Sequence, residues 1–307
     1  MSLSVPHMVT AIGAIHHDTI AHALETVMPE TSTPSTLELR PGGVATNVAR
    51  SLGRLGIKTG LIGTVGDDGT ASALLQKLEH EGIETSTIAR PGFTTGQYIA
   101  FHDPNGTLAA ACVDDRVLSY APADLFDQLI EARRRAIPDG SIWFLDANLP
   151  EPVLARVLDA IGNEVIVANA VSDAKANRLT PHLTRLDCLM LNRGEAVAIT
   201  KLGPQTSTDD LASALQETGL ARFVLTAGAG DVLVLDEGKT TRVPVLPAHI
   251  VDVTGAGDAL TAGTLAAMAH GMSFRDAVPF GLRAAALTLQ STGALADALS
   301  WQALEDF

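Results

Sequence analysis

Charge is scarce in this chain. Only 18% of its 307 residues are charged, with 21 Lys and Arg against 35 Asp and Glu, a net charge of −14. Nucleic-acid and membrane-surface partners need basic patches, so that balance argues against both. It leaves room for one local site that takes an anionic nucleotide. Cysteine is scarcer still. Cys112 and Cys188 lie far apart in apolar runs. They lack metal-ligand spacing and read as reduced, mostly buried thiols, which fits a cytoplasmic protein. No uninterrupted apolar run reaches membrane-spanning length. Met1–His7 has no basic segment leading into an apolar core, so no signal peptide is expected. No internal repeat or low-complexity linker divides the chain. A Walker loop is missing, because Gly56 is followed by Ile57 rather than by Lys. A protein-kinase signature set is missing too.

What is present is a 46% hydrophobic composition, enough for a large core, and one conspicuous stretch, Val251–Leu260. A strand-like run, Arg242–Leu246, precedes it, and an alanine-rich helical run follows to about His270. Glycines here let backbone approach a ligand. The free N–H groups of Gly255, Ala256 and Gly257 would then form an anion hole at a helix N-terminus. Asp258 follows at once. An acid in a first helical turn is usually a dipole partner. Beside an anion hole, a carboxylate makes more sense as a base that takes a proton from an attacking hydroxyl.

The remainder alternates between strand and helix. Val9–Ile15 reads as a buried first strand, with His16, His17 and Asp18 at its C-terminal end. A lone Asp there is as often a turn residue as a ligand contact. The two histidines lack a third metal ligand. Gly42-Gly43 opens a helix with apolar spacing Val44, Val48, Leu52, Leu55 that stops at Gly56, and Asn47 lies one turn in. Thr59–Val65 is a strand, Gly66–Gly69 a turn and Ala71–His80 a helix. Thr95–Phe101 and Thr107–Val113 flank a strong hairpin turn at His102–Gly106. From residue 121 the alternation is regular, with helices at Ala123–Ala136 and Pro152–Ile161. Its strands end in polar groups: Asp146 and Asn148, Asn169, Asn192 and Thr226. Such an edge is where doubly wound sheets bind ligands. Asn192-Arg193-Gly194-Glu195 also fits a helix capping box. The chain closes with helical runs at Ala256–His270, Phe274–Gln290 and Ala296–Phe307.

Thr254-Gly255-Ala256-Gly257-Asp258 resembles the C-terminal signature of the ribokinase-like, or PfkB, family of sugar and nucleoside kinases. Gly42-Gly43 with Asn47 resembles its N-terminal signature, Asn192 to Glu195 its Asn-x-x-Glu motif, and Thr226-Ala227-Gly228-Ala229-Gly230 its nucleotide turn. The resemblance spans essentially the whole chain. It implies a doubly wound three-layer α/β sandwich in one domain, with a small β-sheet lid from about 15–40 and 93–114. It implies phosphoryl transfer from ATP with Mg²⁺, and a homodimer paired through the lid. On it, Asp18, Gly42, Gly43, Asn47 and Asn148 hold a small sugar or nucleoside, and Asp258 is the base. Asn192, Thr226, Gly228 and Gly230 line the nucleotide, Glu195 organises Mg²⁺ through water, and Asp252 is a K⁺ ligand. Pro41-Gly42-Gly43-Val44-Ala45, Val253-Thr254, and Val171-Ser172 with Lys175-Ala176 look more like the pseudouridine kinases of that family than its ribokinases. The alternatives are ribose, another sugar or a purine nucleoside as acceptor, or a catalytically silent binding protein on the same fold. A dinucleotide-dependent oxidoreductase fits less well, because no glycine motif opens a helix directly after an N-terminal strand.

Overall fold

The computed structural model describes residues 7–138 and 140–307. Of Met1–His7, where the leader question falls, only His7 lies within them. The strands are β1 Val9–Ile12, β2 His16–Ala23, β3 Ser35–Gly42, β4 Thr59–Gly66, β5 Glu84–Arg90, β6 Gly96–His102 and β7 Leu108–Asp114. They continue as β8 Ile142–Asp146, β9 Val165–Asn169, β10 Cys188–Asn192, β11 Phe223–Ala227, β12 Gly230–Asp236 and β13 Lys239–Val243.

Nine strands form one sheet in the order β13-β12-β11-β10-β9-β8-β1-β4-β5. From β11 to β5 all neighbours are parallel, and β12 and β13 close one edge antiparallel. Both faces are covered, as a parallel sheet requires. In β8, Ile142 and Phe144 enter one apolar cluster and Trp143 and Leu145 the other. β1 divides likewise, Val9 and Ala11 against Ile12. The helices Val44–Arg54, Gly69–His80, Ala256–Ala269 and Phe274–Leu289 cover the first face. Those at Asp127–Ala136, Glu151–Ile161, Arg193–Thr200 and Thr208–Glu217 cover the second. The expected doubly wound three-layer sandwich is therefore the fold.

Strand order reverses at β1, which lies between β8 and β4. Chain ends diverge there and leave a crevice past the C-terminal ends, where open sheets bind ligands. The second sheet has the order β3-β2-β6-β7, and its Arg40 reaches Gly293, beside the Gly255 turn. β2 leaves β1 only a few residues later, so His16 and Asp18 sit where the two sheets meet.

Several local expectations need correction. Cys112 is exposed on β7, because that strand has no covering layer; Cys188 is buried. The strand placed at Arg242–Leu246 is Lys239–Val243, set by pairing with β12. The last helix is only Trp301–Glu305, started by Ser300, whose side chain accepts from Ala303 N–H. The helix given to Ala123–Ala136 begins at Asp127. No helix among the described residues is long and apolar enough to cross a membrane.

Candidate active site

The crevice is built around Asp146, at the end of β8 and fully buried. Its Oδ2 accepts from the Ala14 N–H at 3.2 Å and the Ala45 N–H at 2.8 Å, and Oδ1 accepts from Asn148 N–H at 3.0 Å. One carboxylate therefore ties the exit of β1, the start of the Val44–Arg54 helix and the turn after β8. Burial raises its pKa, against those three N–H groups and the Asn148 side chain. Gly43 caps the helix at φ 92°, and a Cβ there would lie 2.4 Å from the Ala14 carbonyl oxygen. Only glycine accepts that backbone and that contact.

One turn into this helix, Asn47 Nδ2 donates to Asp258 Oδ2 at 2.9 Å, joining residues 211 positions apart. Asp258 stands in the first turn of Ala256–Ala269, whose cap Gly255 is left-handed at φ 74°. Burial lifts its carboxyl to about 7; the Asn47 amide opposes this, while Asp146, Glu195 and Asp18 add to it. A carboxylate near neutrality is suited to moving protons. Among the described residues, the N–H groups of Gly255, Gly257 and Asp258 have no acceptor, and that of Ala256 reaches only Val253 O at 3.4 Å. These donors face the crevice mouth and fit an anion.

Asp18 comes from the second sheet. Burial raises it to about 6, against Arg40 and Arg50. A Cβ on Gly42 would fall 2.0 Å from its Oδ2, so the strand can pass it only as glycine. Two acceptors near Asp258, Asp18 Oδ1 and Asn47 Oδ1, are buried with no partner among the described residues. Buried acceptors without donors are costly. A ligand carrying several hydroxyls would satisfy both.

Asn148 belongs to a neighbouring polar cluster. Lys175 Nζ donates to Asn148 Oδ1 at 2.7 Å and to Asp115 Oδ2 at 3.3 Å. His16 is buried beside them, its pKa lowered to about 4 by burial and by Lys175, with Asp115 opposing. The ring is neutral, and its Nε2 has no partner among the described residues. Among the described residues no group of three metal-ligating side chains occurs.

Past the Gly255–Gly257 turn lies an apolar cavity of about 680 Å³, bounded by Thr226, Gly228, Val232, Leu246, Gly257 and Ala286 among others. It joins two of the expected nucleotide residues, Thr226 and Gly228, to the Gly257 loop. Gly230, at the exposed start of β12, and Asn192 are not among its walls.

Asn192 and Glu195 form a complete capping box. Asn192 Oδ1 accepts from Glu195 N–H at 3.0 Å, and Glu195 Oε2 accepts from Asn192 N–H at 2.8 Å. Glu195 Oε1 also accepts from Asn192 Nδ2 at 2.8 Å. Yet burial lifts Glu195 to about 7, opposed by the Asn192 N–H and reinforced by Asp173. Asp173 presses on the same turn, for a Cβ on Gly194 would lie 2.5 Å from its Oδ1. Two crowded acids whose oxygens are partly used suit a divalent ion held through its waters. Asp173 carried no motif in the sequence; its one trace is an acid at a helix start after Ser172. Asp252 is engaged in the same way. Its Oδ1 accepts from Thr254 N–H at 2.9 Å and its Oδ2 from Gly293 N–H at 2.8 Å. Burial alone would raise it, but those N–H groups and Arg40 hold it below the ordinary carboxylate value.

Comparison with known proteins follows the same lines. The profile described as pfkB family carbohydrate kinase matches residues 6–301. The pseudouridine kinase of Escherichia coli K12 is 28% identical, over 92% of this chain and 90% of that protein. A carbohydrate kinase from Agrobacterium tumefaciens superposes with a TM-score of 0.84 at 30% identity, covering 98% of this chain and 96% of that one. Arabidopsis thaliana ribokinase, solved with ribose and ATP, gives a TM-score of 0.84 at 21% identity, covering 98% and 99%. That last likeness bears on the fold alone.

Proposed function

This chain belongs to the pfkB family of carbohydrate kinases, and from that premise we propose that it phosphorylates a nucleoside, pseudouridine, at its 5′-hydroxymethyl group with ATP. It is a phosphotransferase of sugar or nucleoside kinase type. The observation that carries the reading of a ribose-bearing acceptor is the pair of unpartnered acceptors, Asp18 Oδ1 and Asn47 Oδ1, flanking a near-neutral Asp258. Vicinal ribose hydroxyls supply the missing donors. The Lys175–Asn148–Asp115 cluster would offer further polar groups to a base. Similarity to the E. coli pseudouridine kinase supports the same choice.

In this reading Asp18, Gly42, Gly43, Asn47 and Asn148 hold the acceptor. Asp258 takes the proton from the hydroxyl as its oxygen bonds to the terminal phosphorus. The bond from that phosphorus to the bridging oxygen breaks, and its electron pair leaves with ADP. Backbone N–H groups at Gly255, Ala256 and Gly257 receive charge on the transferring group, a preorganised stabilisation. The apolar cavity takes the adenine, with Thr226 and Gly228 on its wall and Gly230 at the turn beyond. Asn192, Glu195 and Asp173 hold Mg²⁺ through water. Bound there, Mg²⁺ neutralises phosphate charge. K⁺ would be held at Asp252, whose two carboxylate oxygens also accept the Thr254 and Gly293 N–H groups.

The second sheet, residues from about 15–40 and 93–114, acts as a lid that keeps water from the transfer. Leu37, Leu39 and Phe101 alternate onto one of its faces and are 67%, 57% and 41% exposed. Such a face favours pairing of two lids in a homodimer. Light scattering should then give twice the 32.0 kDa chain mass, and Leu39→Glu should halve it; a monomeric native protein would end this proposal.

The deciding experiment measures ATP consumption with Mg²⁺, with and without K⁺, against pseudouridine, uridine, adenosine, inosine, ribose and fructose. Preference for pseudouridine over uridine is expected. Turnover with ribose or a purine nucleoside would keep the kinase and replace the acceptor. Silence with every acceptor, ATP still bound, would favour a binding protein.

A further inference from the structure

Arg40 belongs to none of the motifs, yet its position is specific. It lies directly opposite Asp18 in the β2–β3 register, so the two side chains share one face of the small sheet. That is the face carrying the Asp18 carboxylate, which influences Asp258. The Arg40 guanidinium reaches across to the turn after the Phe274–Leu289 helix: a Cβ on Gly293 would lie 2.2 Å from Nη1. The Gly293 N–H donates to Asp252, and the next residue, Ala294, packs on Gly255, where a Cβ would meet its Cα at 2.4 Å. Arg40 therefore spans from the acceptor-holding Asp18 to the edge of the loop that bears the anion hole.

Its donors are unspent. The side chain is only 13% exposed, yet its one ion-pair contact is Glu38 Oε1 at 3.5 Å, and among the described residues it donates no hydrogen bond. The neighbouring cations are engaged. Arg50 forks onto Glu81 at 2.5 and 2.8 Å, Lys175 serves Asn148 and Asp115, and Arg178 donates to the carbonyls of Ala147 and Asn148. Around them stand the carboxylates of Asp18, Asp146, Asp252, Asp258 and Glu195. A triphosphate entering that acidic crevice needs a positive partner close to the transferring group.

We propose that Arg40 is that partner: its guanidinium binds non-bridging oxygens of the terminal phosphoryl group from the small sheet, facing the N–H groups of Gly255, Ala256 and Gly257. This rests on the kinase reading above. The planar fork suits two phosphate oxygens, and the arginine gains a strong contact in place of a long one to Glu38.

The test compares Arg40→Gln and Arg40→Lys with the native protein. Calorimetry measures the Kd of the Mg²⁺ complexes of ADP and of the non-hydrolysable β,γ-imido analogue of ATP; kcat is measured with the best acceptor of the panel. Gln should weaken the imido analogue about tenfold, leave ADP unchanged and lower kcat about a hundredfold, as for a lost charge-stabilising donor. Lys should recover part of the analogue affinity, since it keeps the charge without the fork. An equal loss for both nucleotides would mean that Arg40 merely props the Gly293 turn and would overturn the proposal. So would an active native enzyme matched by Arg40→Gln in kcat and analogue affinity. A native protein that neither binds the analogue nor phosphorylates any acceptor would instead bring down the kinase reading, and this inference with it.

Discussion

Asp258→Asn should fold, bind nucleotide within about twofold of the native protein, and lose about a thousandfold in kcat, within the range for a removed general base. The folding expectation follows from the Asn47 contact. Asn47 donates to Asp258 Oδ2 at 2.9 Å, and an asparagine keeps an oxygen for that bond. What it cannot do is take a proton. The pH profile supplies the second half of the test. Burial lifts Asp258 to about 7, so below pH 7 the group is increasingly protonated and unable to act as a base. The native kcat/KM should therefore fall about tenfold per pH unit on the acid side of 7, since this parameter reports groups of the free enzyme. The residual activity of Asp258→Asn should lack that limb. Asp18 is the competing candidate, raised to about 6 with one buried oxygen unpartnered. An acid limb near 6, with kcat of Asp258→Asn held within tenfold, would transfer the base role to Asp18.

The parts of the molecule legible in the sequence are those whose physics is local. Gly43 and Gly255 announce left-handed or close-packed backbone, and both lie at positive φ at helix caps. The hairpin at His102–Gly106 follows from turn chemistry and joins β6 to β7 as expected. The buried parallel strands follow from short apolar runs with polar ends. β5, Glu84–Arg90, carries no signal along the chain, being a sheet edge with no fully buried residue, and β2, His16–Ala23, with three histidines and an aspartate, is legible only as part of the lid region. Their strand state comes from pairing with β3 and β4, which no window along the chain contains. The site divides the same way. Asp258, Asn47 and Asp18 stand in or beside motifs and come together around one space. Arg40, Asp173 and the Lys175–Asp115 pair become intelligible only across the fold. Asn192 and Glu195 show the limit of motif reasoning, since the observed capping box and the proposed metal-organising role use the same two side chains.

Asp146→Ala should cost more stability than any other single change at the site, about 3 kcal/mol, and should lower kcat as well. Asp146 accepts from Ala14, Ala45 and Asn148 N–H groups. Alanine strands all three in a buried place, at about 1–3 kcal/mol for each donor left without an acceptor. Relief from burying a charge offsets part of that sum. The bonds from Ala14 and Ala45 cross 132 and 101 residues of sequence. They fix the Val44–Arg54 helix, and with it Gly43 and Asn47, against the end of β1. Loosening them moves the Asn47 amide that positions Asp258, so the loss in kcat should exceed what a distant core cavity of equal ΔΔG would cause. Asp146→Asn separates the two effects. Its single oxygen can still accept from Ala14 and Ala45, but its amide then points donors at the Asn148 N–H. Urea unfolding should place Asn between the native protein and Ala, at a loss of about 1–2 kcal/mol, one unmet donor. Turnover in the Asn variant should stay within tenfold of native, because the two bonds that hold the helix survive. Equal stability losses for Ala and Asn would show that the charge of Asp146, rather than its placement of acceptors, holds the crevice together.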